Sequence, residues 1–511
     1  MSVSYSRLQY RDTLILFTIS LSILLLFVIR IPTNGDTYTY SHSILTFDGG
    51  LPHFGYYILG FTFHFLLKIF GISPLETLNY MSAFFASVAV VIMYLLTFEL
   101  TENRFQSYLA AAILFFSGAF WYFSEHGEVY IPQLACTLFS LLFALYKRPL
   151  SASFFFILAV TITPTSCLVA PALIYISHVR QYSLKESGFL LLPFVLCFTA
   201  LLLWDFSRII DLIKWGVYSP KVFFGSFSYK ALAVKIGYSL TTIYGKSFNV
   251  FSFLALLGLV LLFTVDKQLF GLILTLLLPF SLYIFNLGLL SGDHLIISFI
   301  AISFLASYCL VTIFNKIKLG FNKKLAMAGF LLIFHCLSSN YLFIAPAKRD
   351  SFELKKLINE LGVHLEHNAI IISDYDFGMA FWYLTAAETD FFLLTGRPDE
   401  FFRVNCSRKE MCSEVLHDKF WINLPHLPAC FNLPGFTEVF NGRRVYFVDQ
   451  SYRPTRFARF LLSEGTLEER RQTIPKLKRL KRYLDKKLQS DIDFIEIFDS
   501  PFRSVYVLQR T

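Results

Sequence analysis

Three short polar clusters interrupt long apolar stretches, and each carries an acid. Asp36 stands in Asn34-Gly35-Asp36-Thr37-Tyr38, Glu125 and Glu128 in Ser124-Glu-His-Gly-Glu-Val-Tyr130, and Asp293 with His294 in Ser291-Gly-Asp-His294. Carboxylates beside hydrocarbon are expensive, so acids at such boundaries point to a working site. A carboxylate just outside a bilayer can act as general base for a hydroxyl nucleophile whose partner is held by lipid. A second carboxylate can orient the acceptor, or hold a divalent ion against a phosphate. Residues 205–247 carry Arg208, Lys214, Lys221, Lys230, Lys235 and Lys246, cations able to receive a lipid-linked phosphate. The plainer roles are solvation of helix ends for the acids and headgroup anchoring for the 205–247 segment, which also holds Trp215, Tyr218, Phe223 and Phe224.

Motifs of soluble enzymes are missing. There is no Walker loop, GxGxxG, HExxH or GxSxG. No cofactor is expected. A divalent cation is compatible with the chemistry, but no pair of acids has a convincing ligand spacing, so no metal is assigned. Cys136, Cys167, Cys197, Cys309 and Cys336 fall in apolar runs as small core residues. Cys406, Cys412 and Cys430 fit no zinc pattern and leave room for one disulfide in an oxidising compartment.

The elements that must position these acids are membrane spans. Of 511 residues, 55% are hydrophobic and 16% charged, against about 25% charged in a soluble domain. Charge is also uneven: residues 1–345 hold 20 Lys/Arg and 13 Asp/Glu, and residues 346–511 hold 25 and 23. This predicts a membrane domain over 1–345 and a water-exposed domain over 346–511. A spanning helix needs about 20 mostly apolar residues. Eleven segments are candidates, the fifth and sixth of them short and parted by Pro164: 13–31, 78–98, 107–124, 129–146, 152–163, 166–178, 187–204, 248–265, 268–290, 294–314 and 325–345. Residues 54–71 are apolar but broken by His64 and Lys68, which predicts a helix lying in the interface. With the N-terminus inside, Arg7, Arg11, Arg104, Lys147, Arg148, Arg180, Lys185, Lys267 and the 316–324 lysines all fall on the cytoplasmic side. The three acid clusters and the C-terminal domain then face the outside. The runs 369–373, 445–448 and 505–508 read as strands, and 351–361 and 467–489 as helices. In the second helix an Ile474, Leu477, Leu480, Leu484 and Leu488 stripe is surrounded by Lys and Arg, suited to packing with a solvated basic face or to resting on anionic lipid.

Three segments together resemble a known family. They are Leu51-Pro-His-Phe-Gly-Tyr-Tyr57, then Leu78-Asn-Tyr-Met-Ser-Ala-Phe-Phe-Ala-Ser-Val-Ala, then Phe120-Trp-Tyr-Phe-Ser-Glu-His-Gly-Glu-Val-Tyr130, preceded by the acid after the first span. This pattern is similar to the GT-C superfamily of membrane glycosyltransferases, in particular its protein O-mannosyltransferase-like branch, over residues 10–180. The resemblance implies inverting transfer of a sugar from a polyprenyl-phosphate donor on the outer face. It implies Asp36 as catalytic base, Glu128 as the acid of the Glu-Val-Tyr motif and His53 as the first-loop histidine. Thr37-Tyr-Thr-Tyr40 stands where a second acid often follows the first, and Phe54-Gly55 replaces a double proline.

The expected protein is thus an all-α polytopic membrane domain of about eleven helices, GT-C-like, followed by a small α/β extracytoplasmic domain. Asp36 and Glu128 are the catalytic expectations; His53, Glu125, Lys214, Lys221, Asp293 and His294 are the substrate-binding ones. The expected partners are a polyprenyl-phosphate-linked sugar, mannose-like, a protein or glycan hydroxyl, and membrane lipids, with no nucleic acid. The alternative is a transporter or flippase of lipid-linked saccharides. Transporters place polar groups near the midplane at broken helices, and Thr161-Ile-Thr-Pro-Thr165 is the one such feature here.

Overall fold

The computed structural model describes residues 7–32, 35–46, 53–191, 195, 199, 244–287, 295–364, 369–373, 380, 383–384, 419–423, 445–449, 492–499 and 504–510. Two compact units result: residues 1–28 with 40–345, and residues 29–39 with 346–511.

The first unit is helical. Its elements are α1 (Arg7–Phe27), the end of α2 (Gly35–Thr46), α3 (Phe54–Leu67), α4 (Pro74–Thr101), α5 (Arg104–Phe115), α6 (Gly118–Ser124), α7 (Tyr130–Leu145), α8 (Pro149–Ile162) and α9 (Ala170–Val179). Then come α10 (Val250–Val265), α11 (Lys267–Leu287), α12 (Ser298–Lys316) and α13 (Phe321–Ser339). Local chemistry sets several boundaries. Ser73 and Glu76 form a reciprocal capping box ahead of α4, with Pro74 in the first turn, where its missing N–H costs nothing. Asn103 caps α5 by accepting from the Gln106 N–H at 3.0 Å. Asp12 of α1, buried, takes both Arg104 Nε at 2.6 Å and the Tyr94 hydroxyl at 2.9 Å, which ties α1 to α4 and α5.

Among the described residues, four helices are long and apolar enough to cross a membrane, or five if a bent pair counts as one, and six more apolar helices are 10–17 residues long. The predicted span 107–124 is that bent pair: α5 and α6 meet at 67°. Gly118 permits the bend, since a Cβ there would overlap the Phe343 ring. Trp121 fills the elbow, 5.9 Å from the Phe116 ring and 5.5 Å from that of Phe27. All seven residues of α6 are buried, so the chain that follows it enters protein rather than water. Residues 54–67 form α3, on which Phe54, Ile58, Phe61, Phe65 and Leu66 are exposed. Between α8 and α9, Thr163 is extended ahead of Pro164, and residues Pro164–Val169 make a 3-10 turn.

Two predicted boundaries are corrected. The loop expected around Asp36 is the first turn of α2. The helix that carries the last predicted span does not end near Pro346: α13 runs through a π-helical turn, Asn340–Ile344, directly into α14 (Ala345–His364). Proline cannot donate to the preceding turn, and the wider π turn just before it relieves that clash.

In the second unit α14 precedes a five-stranded sheet of β1 (Ala369–Ser373), β2 (Lys419–Asn423), β3 (Val445–Asp449), β4 (Ile492–Asp499) and β5 (Ser504–Arg510), in the order β2-β1-β3-β5-β4. β1 pairs in parallel with β2 and β3, and β5 pairs antiparallel with β3 and β4. The predicted strands coincide with β1, β3 and β5; β2 and β4 were not anticipated. The basic helix expected over 467–489 lies outside the described residues, as do Cys406, Cys412 and Cys430.

Candidate active site

The connection between α6 and α7, residues 125–129, is the most polar buried segment described. Glu125 and His126 are fully buried, and Glu128 is 1% exposed. Charged groups stay ionised in such surroundings only when hydrogen-bonded or paired, so the backbone around them has to be held. The Gly127 N–H donates to Asn79 Oδ1 at 2.8 Å, and the Glu128 N–H to Ser82 Oγ at 3.4 Å. Both acceptors lie on one face of α4, one turn apart. The Glu125 N–H and His126 Nδ1–H both return to the Tyr122 carbonyl, at 3.1 and 2.9 Å. The helix α6 ends at Ser124, and Glu125 and Glu128 sit on an irregular loop.

The proton inventory follows from these bonds. Burial holds His126 down to about 3, so the imidazole is neutral at physiological pH. Its Nδ1 donates, which leaves the Nε2 lone pair facing Glu128 Oε1 at 4.0 Å. Tyr56 of α3 is fully buried, and its hydroxyl has no hydrogen-bond partner among the described residues. Burial first, and then the charge of Glu128, push the Tyr56 phenol well above the usual tyrosine range, which places its hydroxyl in the electrostatic reach of Glu128.

His53 adjoins the same cluster. It precedes α3, donates from Nδ1 to the Ile162 carbonyl at 2.8 Å, and packs edge-on to Tyr40, 5.5 Å between centroids. That carbonyl is released from its helix because α8 ends there. Tyr40 in turn packs on Tyr56, and both share one core with Tyr57, Leu78, Met81 and Val129. Thus residues 53–57, 78–89 and 120–130, from three segments far apart in the chain, meet around Glu128. Gln133 of α7 donates to Thr165 and Ser166 at 2.9 Å, which ties the broken helix at Pro164 to α7.

Asp36 belongs to the second unit, in the first turn of α2 and partly buried. The N-terminal end of a helix favours an anion. Tyr38, one turn away, donates its hydroxyl to the Pro32 carbonyl at 2.7 Å and lies 5.5 Å from the Tyr383 ring, which pins the start of α2. Of the other expected site residues, Glu125 shares the loop of Glu128, while Lys214, Lys221, Asp293 and His294 lie outside the described residues. Among the described residues no group of three His, Cys, Asp or Glu side chains could hold a metal ion. Sequence reasoning missed Tyr56, Asn79, Ser82 and His126. Asn79 and Ser82 carried a readable signal, two polar side chains entering an apolar run.

No protein-family model matches the chain, and no curated protein matches it. Solved structures do. ArnT from Cupriavidus metallidurans bound to undecaprenyl phosphate is 10% identical over 99% of this chain and 98% of its own, with a TM-score of 0.53. The same protein in the apo state is 11% identical over 98% and 97%, also at 0.53. The archaeal oligosaccharyltransferase AglB from Archaeoglobus fulgidus, in complex with an inhibitory peptide and a dolichol-phosphate, is 13% identical over 74% of this chain, at 0.44; the match spans 64% of the AglB chain. The chain therefore shares its fold with ArnT along nearly its whole length. With this fold and its series of apolar helices, it is an integral, multi-pass membrane protein.

Proposed function

We propose that the chain is a membrane glycosyltransferase of the GT-C type, which transfers a mannose-like sugar from a polyprenyl-phosphate donor to a protein or glycan hydroxyl on the outer face. The observation that carries this reading is the meeting of three distant segments around the buried Glu125-His126-Gly127-Glu128 loop. A purely structural loop gains nothing from two buried acids. A chain-long fold likeness to a protein bound to undecaprenyl phosphate supports the donor class.

In the proposed reaction Asp36 accepts the proton of the acceptor hydroxyl as its oxygen attacks the anomeric carbon. The bond from that carbon to the phosphate oxygen breaks, polyprenyl phosphate leaves, and the anomeric configuration inverts. Glu128 and Glu125 orient the acceptor, with the Tyr56 hydroxyl and His126 as their polar neighbours. His53 fixes the start of α3. Lys214 and Lys221 receive the donor phosphate, and Asp293 and His294 take part in binding the substrate. Residues 1–345 form the transferase domain and 346–511 an extracytoplasmic domain. Proteoliposomes given a labelled polyprenyl-phosphate sugar and a hydroxyl acceptor test the proposal: label must appear on the acceptor. Donor carried across the bilayer with no label transferred would instead make the chain a flippase.

A further inference from the structure

His335 of α13 is fully buried, packed by Phe248 and Phe251, whose ring centroids lie 6.4 and 5.1 Å from its own. An imidazole in an apolar interior costs free energy unless its nitrogens are hydrogen-bonded. Both are. Nε2 lies 3.3 Å from the Ile113 carbonyl, and Nδ1 lies 3.3 Å from Asn249 Nδ2. A carbonyl only accepts, so Nε2 carries the proton, and Nδ1 accepts from the Asn249 amide. Asn249 thereby fixes the tautomer and the ring plane together. It does so from a costly backbone, with φ at 52° and ψ at −126°, a region that favours glycine.

The carbonyl that His335 reaches is the one at which α5 breaks. In a continuous helix the Ser117 N–H would donate to Ile113. It donates to the Leu114 carbonyl instead, at 3.1 Å, and Ser117 itself is extended. A side chain entering the helical ladder is one of the few causes of a sharp kink. His335 thus holds the 67° bend from the α5 side, while Phe343, farther along the same continuous helix, meets Gly118 on the α6 side. From the bend, the seven residues of α6 reach about 10 Å to Glu125. Over that lever a change of about 6° moves the start of the acidic loop by about 1 Å, a misplacement that can cost about 100-fold in rate. We propose that His335 is a positioning residue for the acidic loop: its bond to the Ile113 carbonyl sets the angle at which α6 presents Glu125 and Glu128. The consequence for turnover rests on the transferase reading; the consequence for the loop does not.

Three full-length variants in proteoliposomes provide the test. His335→Phe keeps a ring and loses both bonds. His335→Gln can restore both, because its amide donates from the place of Nε2 and its oxygen accepts from Asn249. Asn249→Gly removes the amide and relieves the backbone, which keeps the question answerable if the phenylalanine variant folds poorly. Hydrogen–deuterium exchange over residues 125–129 reports the bonds from the Gly127 and Glu128 N–H groups to Asn79 and Ser82 with no need of turnover. Sugar transfer per donor-binding site reports kcat of folded protein alone. His335→Phe should speed that exchange by about tenfold or more and lower kcat by about 10- to 100-fold, with KM for the donor unchanged. His335→Gln should stay within about threefold of the wild type in both, as a retained donor and acceptor require. Asn249→Gly should move both readouts towards those of His335→Phe without lowering the thermal midpoint, a combination that a purely structural role does not produce. A wild type that transfers no sugar would refute the transferase reading and leave the exchange to judge His335. Exchange unchanged in both His335→Phe and Asn249→Gly, full kcat in both beside an active wild type, or a His335→Gln protein as impaired as His335→Phe would each overturn the proposal.

Discussion

His126 donates from Nδ1 to the Tyr122 carbonyl, so the nitrogen facing Glu128 carries a lone pair. A histidine held near 3 when folded and near 6.5 when unfolded binds its proton only in the unfolded chain between those values. Stability from this group is therefore full above about 6.5 and falls with acidification, by about 2 kcal/mol at pH 5. Thermal unfolding in detergent should show a drop from pH 7 to pH 5 that His126→Gln reduces; an identical drop in the variant would place the acid sensitivity elsewhere. The two acids of the loop should separate functionally. The backbone of Glu128 is held through Ser82 and its charge acts on Tyr56, so Glu128→Gln should lower sugar transfer by about 10- to 100-fold, the scale of a misplaced reactant, and Glu125→Gln by less. Equal and negligible losses would return both acids to packing. The acids were legible because a carboxylate beside an apolar run is conspicuous. His126 was not, since a histidine between two glutamates reads as solvated until α6 buries it.

At the scale of elements, α3 reaches the site because Gly55 lets it touch the end of α8. A Cβ on Gly55 would overlap Thr161 Oγ1 and come within 3.0–3.1 Å of the backbone at Thr161 and Ile162. Gly55→Ala should push α3 away and break the bond from His53 to the Ile162 carbonyl, destabilising the protein by about 1–3 kcal/mol, as overpacking does. Thermal midpoints check this, and an unshifted midpoint would mean that α3 has slack. Hydropathy made the apolar helices legible, since long apolar runs have few other uses in a chain. It could not show the α5–α6 bend, which depends on Phe343 meeting Gly118 from more than 200 residues away. Nor could it show α2, whose Thr, Tyr and Ser residues are weak helix formers. Burial of Tyr38, Tyr40 and Ile44 organises that helix instead.

For the whole molecule, the shift in charge content near residue 345 was legible from composition, whereas the grouping of residues 29–39 with 346–511 was not, because eleven residues carry no compositional signature. The Lys/Arg distribution makes a topological prediction: a reporter that fluoresces only in the cytoplasm, fused after Thr511, should stay dark, and a bright fusion would overturn the orientation and the outer site together. The central claim concerns turnover by the intact chain in a membrane. General-base help contributes about 10²–10⁴-fold in rate, so Asp36→Asn, which keeps shape and removes the base, should cut sugar transfer by at least about 100-fold. The measurement is transfer of labelled sugar from a polyprenyl-phosphate donor in proteoliposomes, wild type beside Asp36→Asn, with donor binding followed in parallel. The account predicts transfer by the wild type, loss of it in the variant, and retained donor binding in both. Near-normal transfer by a well-folded Asp36→Asn protein would contradict it.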